Sequence, residues 1–175
     1  AMAVYFEYKP LVGKLIADNI DTPGKWNFSR EIGVRPVTPL GLAIGAGDKN
    51  ISSMIIDNSS KIGIKLDEQN IAIGSVSSIA ELNFYMDRIT RAGQKINSDN
   101  AESAVKLVVN MLILKNPLAE ANKAMGYLSE TLAEDKSRSL EFVERQIETF
   151  GLVQIHSVIG EESKQTLGAV HNTLS

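Results

Sequence analysis

Histidine occurs twice in this chain, at His156 and His171, and cysteine does not occur. A general base needs a nucleophile or carboxylate within hydrogen-bond reach, and a metal needs several ligands at workable spacing. Neither histidine brings such partners in sequence, because no His-x-x-x-His or Asp-x-Asp spacing accompanies them. Without cysteine there is no disulfide, no zinc-thiolate site and no thiol nucleophile. The residues therefore predict no catalytic group, no metal and no cofactor. Gly41, Gly45 and Gly47 make the most glycine-dense stretch. A phosphate loop would follow its last glycine with Lys and then Ser or Thr. Here Asp48 follows Gly47, and its carboxylate would repel phosphate. The dinucleotide fingerprint fails as well, since Asn50 stands at the third glycine position and no helix is predicted after it. A turn between strands is the reading.

Charge and aromatic residues offer one binding arrangement. Lys61 and Lys65 share a face of a predicted strand, with Arg30 and Arg35 upstream. Trp26, with Phe28 and Tyr8, could interleave as stacking groups. Such a sheet face binds single-stranded nucleic acid by combining stacking with phosphate contacts. The competing reading is a solvated face whose lysines blunt edge pairing. The paired acids Glu134-Asp135 and Glu161-Glu162 read as solvated charge. Asn27, Asn50 and Asn58 begin glycosylation sequons, which matter only on a secretory route.

These residues must be positioned by the elements between them, and the stretch from Asp99 to Phe150 organises the rest. Asp99-Asn100-Ala101-Glu102 reads as a helix start, with an Asp cap. Ala104 to Leu114 is apolar except for Lys106 and Asn110. A helix apolar on most sides belongs in a core or between subunits. Val105, Val108, Val109 and Leu112 are the interface candidates. Asn116-Pro117 interrupts the pattern, either as a break with a new helix to about Leu132 or as a kink. Leu118, Ala121, Met125, Leu128 and Leu132 share one face of the second helix. A third helix starts near Asp135 or Ser137. It carries Leu140, Val143, Ile147 and Phe150 inward, sets a Glu141–Arg145 pair outward, and is closed by Gly151.

Upstream the pattern reads as strands. Val4 to Tyr8 is a short strand, Leu11 to Ile20 a short helix, and Trp26 to Val34 a second strand. Leu40–Ile44, Ile51–Asp57, Lys61–Leu66 and Asn70–Gly74 follow, with turns too short for parallel crossovers. Ser78-Ile79-Ala80-Glu81 is a capping box. Its helix carries Ile79, Leu82, Met86 and Ile89 on one face and ends at Gly93. Leu152 to Ile159 alternates as a return strand.

The chain of 175 residues, 43% apolar and 22% charged, reads as one soluble domain. The expected fold is α+β: a small antiparallel β-meander in the N-terminal half against a C-terminal layer of about four helices. Residues 1–160 form the domain and 161–175 a polar tail. A net charge of −3 provides no basic footprint for duplex DNA. No apolar run is long enough to span a membrane, and no signal peptide is visible, so the cytoplasm is the expected location. The surplus of apolar stripes predicts a non-enzymatic, self-associating interaction or assembly protein, a homo-oligomer with room for a protein partner. A single-stranded nucleic-acid module is the alternative. A small enzyme, its site assembled from distant residues, is the third reading.

Overall fold

The computed structural model describes residues 9–17, 38–115, 118–134 and 136–153. Among these residues there are seven α-helices, two 3-10 turns and no β-strand. The helices are α1 (Lys9–Ala17), α2 (Pro39–Gly45), α3 (Lys49–Asp57), α4 (Ile79–Arg91), α5 (Ser98–Lys115), α6 (Leu118–Glu134) and α7 (Lys136–Val153). The 3-10 turns are Leu66–Glu68 and Ile73–Ser75.

The α+β expectation and its meander are therefore corrected. Leu40–Ile44 is helical because Thr38 and Pro39 form a start signal. Thr38 is extended, and its hydroxyl accepts the Gly41 N–H at 3.0 Å. Proline at the first helical position loses no hydrogen bond there. Leu40, Ala43 and Ile44 then recur at helical spacing and are buried. Ile51–Asp57 is helical for a parallel reason. Asp48 caps it, its carboxylate accepting the N–H groups of Asn50 and Ile51, both at 3.0 Å. The expectation that no helix follows the glycines is thereby also overturned. Isoleucine's strand preference misled here, since a short apolar run fits a buried strand or a buried helix equally well.

Lys61–Leu66 keeps its in–out alternation without being a strand. Ile62, Ile64 and Leu66 are buried while Lys61, Gly63 and Lys65 are exposed. The backbone is a helical turn ended by Gly63 at φ +69°, with Ile64 N–H bonded to Ser59 C=O at 2.8 Å. This is a left-handed glycine closure, a conformation that strains residues with a Cβ. Gly47 and Gly93 end α2 and α4 in the same way. Asn70–Gly74 is a loop entering the second 3-10 turn.

That loop is clamped by side chains. Asn100, buried on α5, donates to Gln69 C=O at 2.7 Å and accepts the Ile71 N–H at 3.2 Å. Asn97 donates to Asp67 C=O at 3.0 Å, and Thr38 donates to Asn70 C=O at 3.1 Å. Buried backbone groups need such partners where no ladder exists. Asn97 is also the cap of α5, accepting Asn100 N–H at 2.9 Å. The cap thus lies two residues before Asp99, which instead pairs with Arg138 of α7.

Helices α4 to α7 form a bundle with alternating direction. Asn83 donates to Glu120 C=O and Tyr127 bonds Asp87, so α4 and α6 run together. Lys95, just before α5, meets Glu134 at the end of α6, so α5 runs opposite to α6. Helix α5 ends at Lys115 and the oppositely directed α6 starts at Leu118, so the two are separate helices and not one kinked helix. Arg138 joins Asp99 and Glu102, and Lys106 lies over Phe142, so α7 follows α5. Helix α5 packs against α4, α6, α7 and the second 3-10 turn, which explains its apolar circumference. The predicted stripes of α4 and α6 point inward, with Ile79, Leu82, Met86, Ile89, Ala121, Met125, Leu128 and Leu132 all buried. Ser78 accepts Glu81 N–H at 3.2 Å as a capping box requires, but the Glu81 carboxylate returns to Ser77 rather than Ser78. On α7, Glu141 and Arg145 pair on the exposed side. The helix continues through Gly151 to Val153 instead of ending there, so Leu152 and Val153 do not start a strand. The remainder of that predicted strand lies outside the described residues, as do Val4–Tyr8, Trp26–Val34 and the 161–175 tail.

A single core unites α1 to α3 with the bundle. Tyr85 sits in it, fully buried. Its hydroxyl lies 3.1 Å from Ser52 Oγ, which donates to Asp48 C=O at 2.6 Å. Burial raises the Tyr85 pKa above its ordinary value, and the Ser52 bond opposes this. A raised folded pKa means the native state keeps the phenolic proton longer. Stability from this source is full below about pH 10 and is lost as pH rises through the folded pKa. Tyr85→Phe should flatten the alkaline loss of stability in urea melts taken above about pH 10. Identical alkaline slopes for both proteins would show that burial does not hold this phenol neutral.

Candidate interaction furrow

The sheet on which the nucleic-acid face was expected is absent among the described residues. Lys61 lies exposed in the turn after α3. Lys65 is exposed and engaged, with Nζ 2.9 Å from Glu68 Oε1. That hydrogen bond, then the Glu68 charge, raises its pKa. Arg30, Arg35 and Trp26 lie outside the described residues, and so do His156 and His171. The four interface candidates are brought together, but inside one chain. Val105, Val108, Val109 and Leu112 are 0%, 0%, 2% and 1% exposed. Their apolar surface is covered by α4, α6, α7 and the 3-10 turn. Among the described residues no group of three or more His, Asp or Glu could hold a metal. No helix among them is long and apolar enough to cross a membrane.

Two open recesses adjoin at Ser75 and form a furrow. One, of about 400 Å³, lies between Asn70–Ser75 and the outer face of α5. The other, of about 440 Å³, lies between the Gly45–Gly47 turn and Ser75–Ser77. Tight packing shapes the first: a Cβ on Gly74 would fall 2.8 Å from both Cβ and O of Ser103. Only glycine lets the 3-10 turn lie this close to α5. The preceding Ala72 is held at φ 54°. Ser75 bonds back to Ala72 C=O at 2.7 Å, and Asn70 accepts the Ala72 N–H at 3.0 Å.

A lysine stands on each recess. Lys106 lies 5.5 Å from the Phe142 ring centroid, and Lys49 lies 5.6 Å from that of Phe84. These cation–π contacts place each ammonium nitrogen beside a ring, and both lysines stay exposed. Neither lysine has a carboxylate partner among the described residues. The Glu81 carboxylate, which lines the second recess, is occupied by Ser77 N–H and Oγ at 2.9 and 2.7 Å. The remaining lining mixes small and amide-bearing residues, including Gly45, Ala46, Gly47, Asn70 and Asn110, with the aliphatic Ile44, Ile73, Val76 and Leu107. No aromatic ring lines either recess.

Sequence reasoning named none of these as a site. One signal was present: Ser103, Lys106 and Asn110 recur at i, i+3 and i+7, a polar stripe along an otherwise apolar helix. Lys49 and Ser75 had no such signal, because they reach the furrow only through tertiary packing. No family model matches this chain, and no curated protein or solved structure matches it.

Proposed function

We propose that this chain is a non-enzymatic interaction protein that holds an extended acidic polypeptide segment along the furrow. The observation that carries the reading is the pair of lysines without carboxylate partners, one on each of two adjoining recesses of mixed polar and apolar lining. The small residues at 45–47 let a partner's chain approach this wall closely. Single-stranded nucleic acid is disfavoured because its sequence-tolerant binding relies on aromatic stacking platforms, which the lining lacks. Self-association enters in a narrower form. The α5 stripe is filled by the chain's own packing, so a second copy would meet Leu11 of α1, an exposed large hydrophobic at 39%. The proposal keeps the cytoplasmic location expected from the sequence.

The test is fluorescence anisotropy with a labelled Gly-Glu repeat peptide, a Gly-Ser repeat and an oligothymidylate at low salt. The Gly-Glu peptide should bind best, and added salt should weaken it. Reversing both charges, Lys49→Glu with Lys106→Glu, should weaken it by about tenfold, since exposed ion pairs contribute about 0.2–1 kcal/mol each. Equal binding by the double variant, or tighter binding of the oligothymidylate, would overturn the reading. Light scattering on the same samples reports the second copy, and a strict monomer removes self-association from the proposal.

A further inference from the structure

The α5 side of the furrow has hydrogen-bond donors left over. Asn70 uses its side-chain oxygen on the Ala72 N–H at 3.0 Å. That bond settles the amide's orientation, because a flip would set N–H against N–H. The Asn70 NH2, the Lys106 ammonium and the Asn110 amide have no hydrogen-bond partner among the described residues. The other polar groups of this recess are committed. Ser75 and Ser103 donate to Ala72 and Asp99 C=O at 2.7 and 2.9 Å. Asn100 is buried and bonded to Gln69, Asn97 and Ile71.

Among the described residues no carboxylate lines this recess. The acids of α5, Asp99 and Glu102, are both held by Arg138, at 2.6 and 2.9 Å. The adjoining recess differs, since Glu81 lines it. Ile73 and Leu107, both buried, add an apolar wall beside the donors. The close approach of Gly74 to Ser103 fixes the turn against α5, so donors from two elements are set before a ligand arrives. Spare donors without a carboxylate suit an oxyanion. A phosphate monoester carries a charge of about −1.5 to −2 at pH 7 and three strong acceptor oxygens. A carboxylate offers one oxygen and up to one charge fewer. The three spare donor groups and the apolar wall fit the monoester, with its carbon stem over Ile73 and Leu107.

We infer that the α5 recess is a phosphate-monoester site, its oxygens on Lys106, Asn70 and Asn110. The ester is a phosphorylated side chain of the segment in the furrow or a free small molecule. The first source rests on the proposed function of the furrow, and the second does not.

The experiment follows amide NMR of the full chain during titration with ethyl phosphate and with sodium propionate. Ethyl phosphate should give saturable shifts confined to residues around Asn70, Gly74, Lys106 and Asn110, and propionate should bind about tenfold more weakly. Asn70→Asp keeps an oxygen for the Ala72 N–H and removes the NH2. It should weaken ethyl phosphate by about tenfold or more, as should Lys106→Gln. Lys61→Gln, at an exposed lysine outside the recess, should leave binding unchanged. Amide spectra that match the native one elsewhere show that the variants fold. Propionate binding as tightly, unchanged binding by Asn70→Asp, or an equal loss with Lys61→Gln would overturn the site. A Gly-Ser repeat carrying one phosphoserine, beside the Gly-Glu repeat, separates the sources. Tighter binding of the phosphopeptide than of ethyl phosphate, with shifts reaching Gly45–Gly47, assigns the phosphate to a bound segment. Ethyl phosphate bound with neither peptide binding keeps the site for a free ester and overturns the function proposed for the furrow. Gly-Glu bound without ethyl phosphate overturns the site alone.

Discussion

Val108→Asp should abolish the cooperative fold. Val108 is fully buried on the central helix α5, which meets α4, α6, α7 and the second 3-10 turn. A carboxylate there has no cationic partner and no water. Burying an unpaired polar or charged group costs several kcal/mol, or forces the group to stay protonated. The whole margin of a domain is about 5–15 kcal/mol. Leu112→Asp, one turn later and 1% exposed, should behave alike. Glu148→Gln, exposed on α7, should change stability by less than about 0.5 kcal/mol. Circular dichroism melts and sizing should be read together. Loss of the melting transition is expected. Aspartate variants that stay folded and become monomeric would assign these positions to a subunit interface instead. Native melting with unchanged size for both would show that α5 is not the organising helix.

Gly74→Ala should destabilise by about 2–3 kcal/mol, in the range of overpacked cores. The added Cβ would lie 2.8 Å from Ser103 O and 2.9 Å from Ser103 C, so main chain rather than a flexible side chain must move. For a chain of this size that corresponds to a fall in melting temperature of about 5–10 °C. The same substitution at Gly126 should act in the opposite sense. Gly126 lies exposed within α6, and a Cβ there meets nothing within 4 Å. Alanine removes backbone freedom from the unfolded chain and should stabilise by about 0.4–1 kcal/mol. Thermal denaturation of the two variants beside the native chain checks both signs. Equal effects would mean that the 3-10 turn does not press on α5.

The sequence by itself determined the helices whose apolar residues recur over several turns. Ile79, Leu82, Met86 and Ile89 on α4 and Ala121, Met125, Leu128 and Leu132 on α6 were legible because a long 3.6-residue period has one interpretation. The apolar circumference of α5 also marked it as buried, in a core or between subunits, and the packing of one chain covers it. Tertiary structure decided the first half. Leu40–Ile44 and Ile51–Asp57 span only one to two turns, too few residues to separate a helical period from a strand's. Their isoleucines favour strands until Thr38 and Asp48 supply helix caps and a neighbouring surface covers the helical face. In the 61–66 segment the alternation was real, but a left-handed glycine closure produced it. The furrow was legible only in part. Ser103, Lys106 and Asn110 share a face of one helix, so their spacing is local. Lys49 and Ser75 join them across elements distant in the chain, and no spacing along a sequence encodes an encounter that only packing creates.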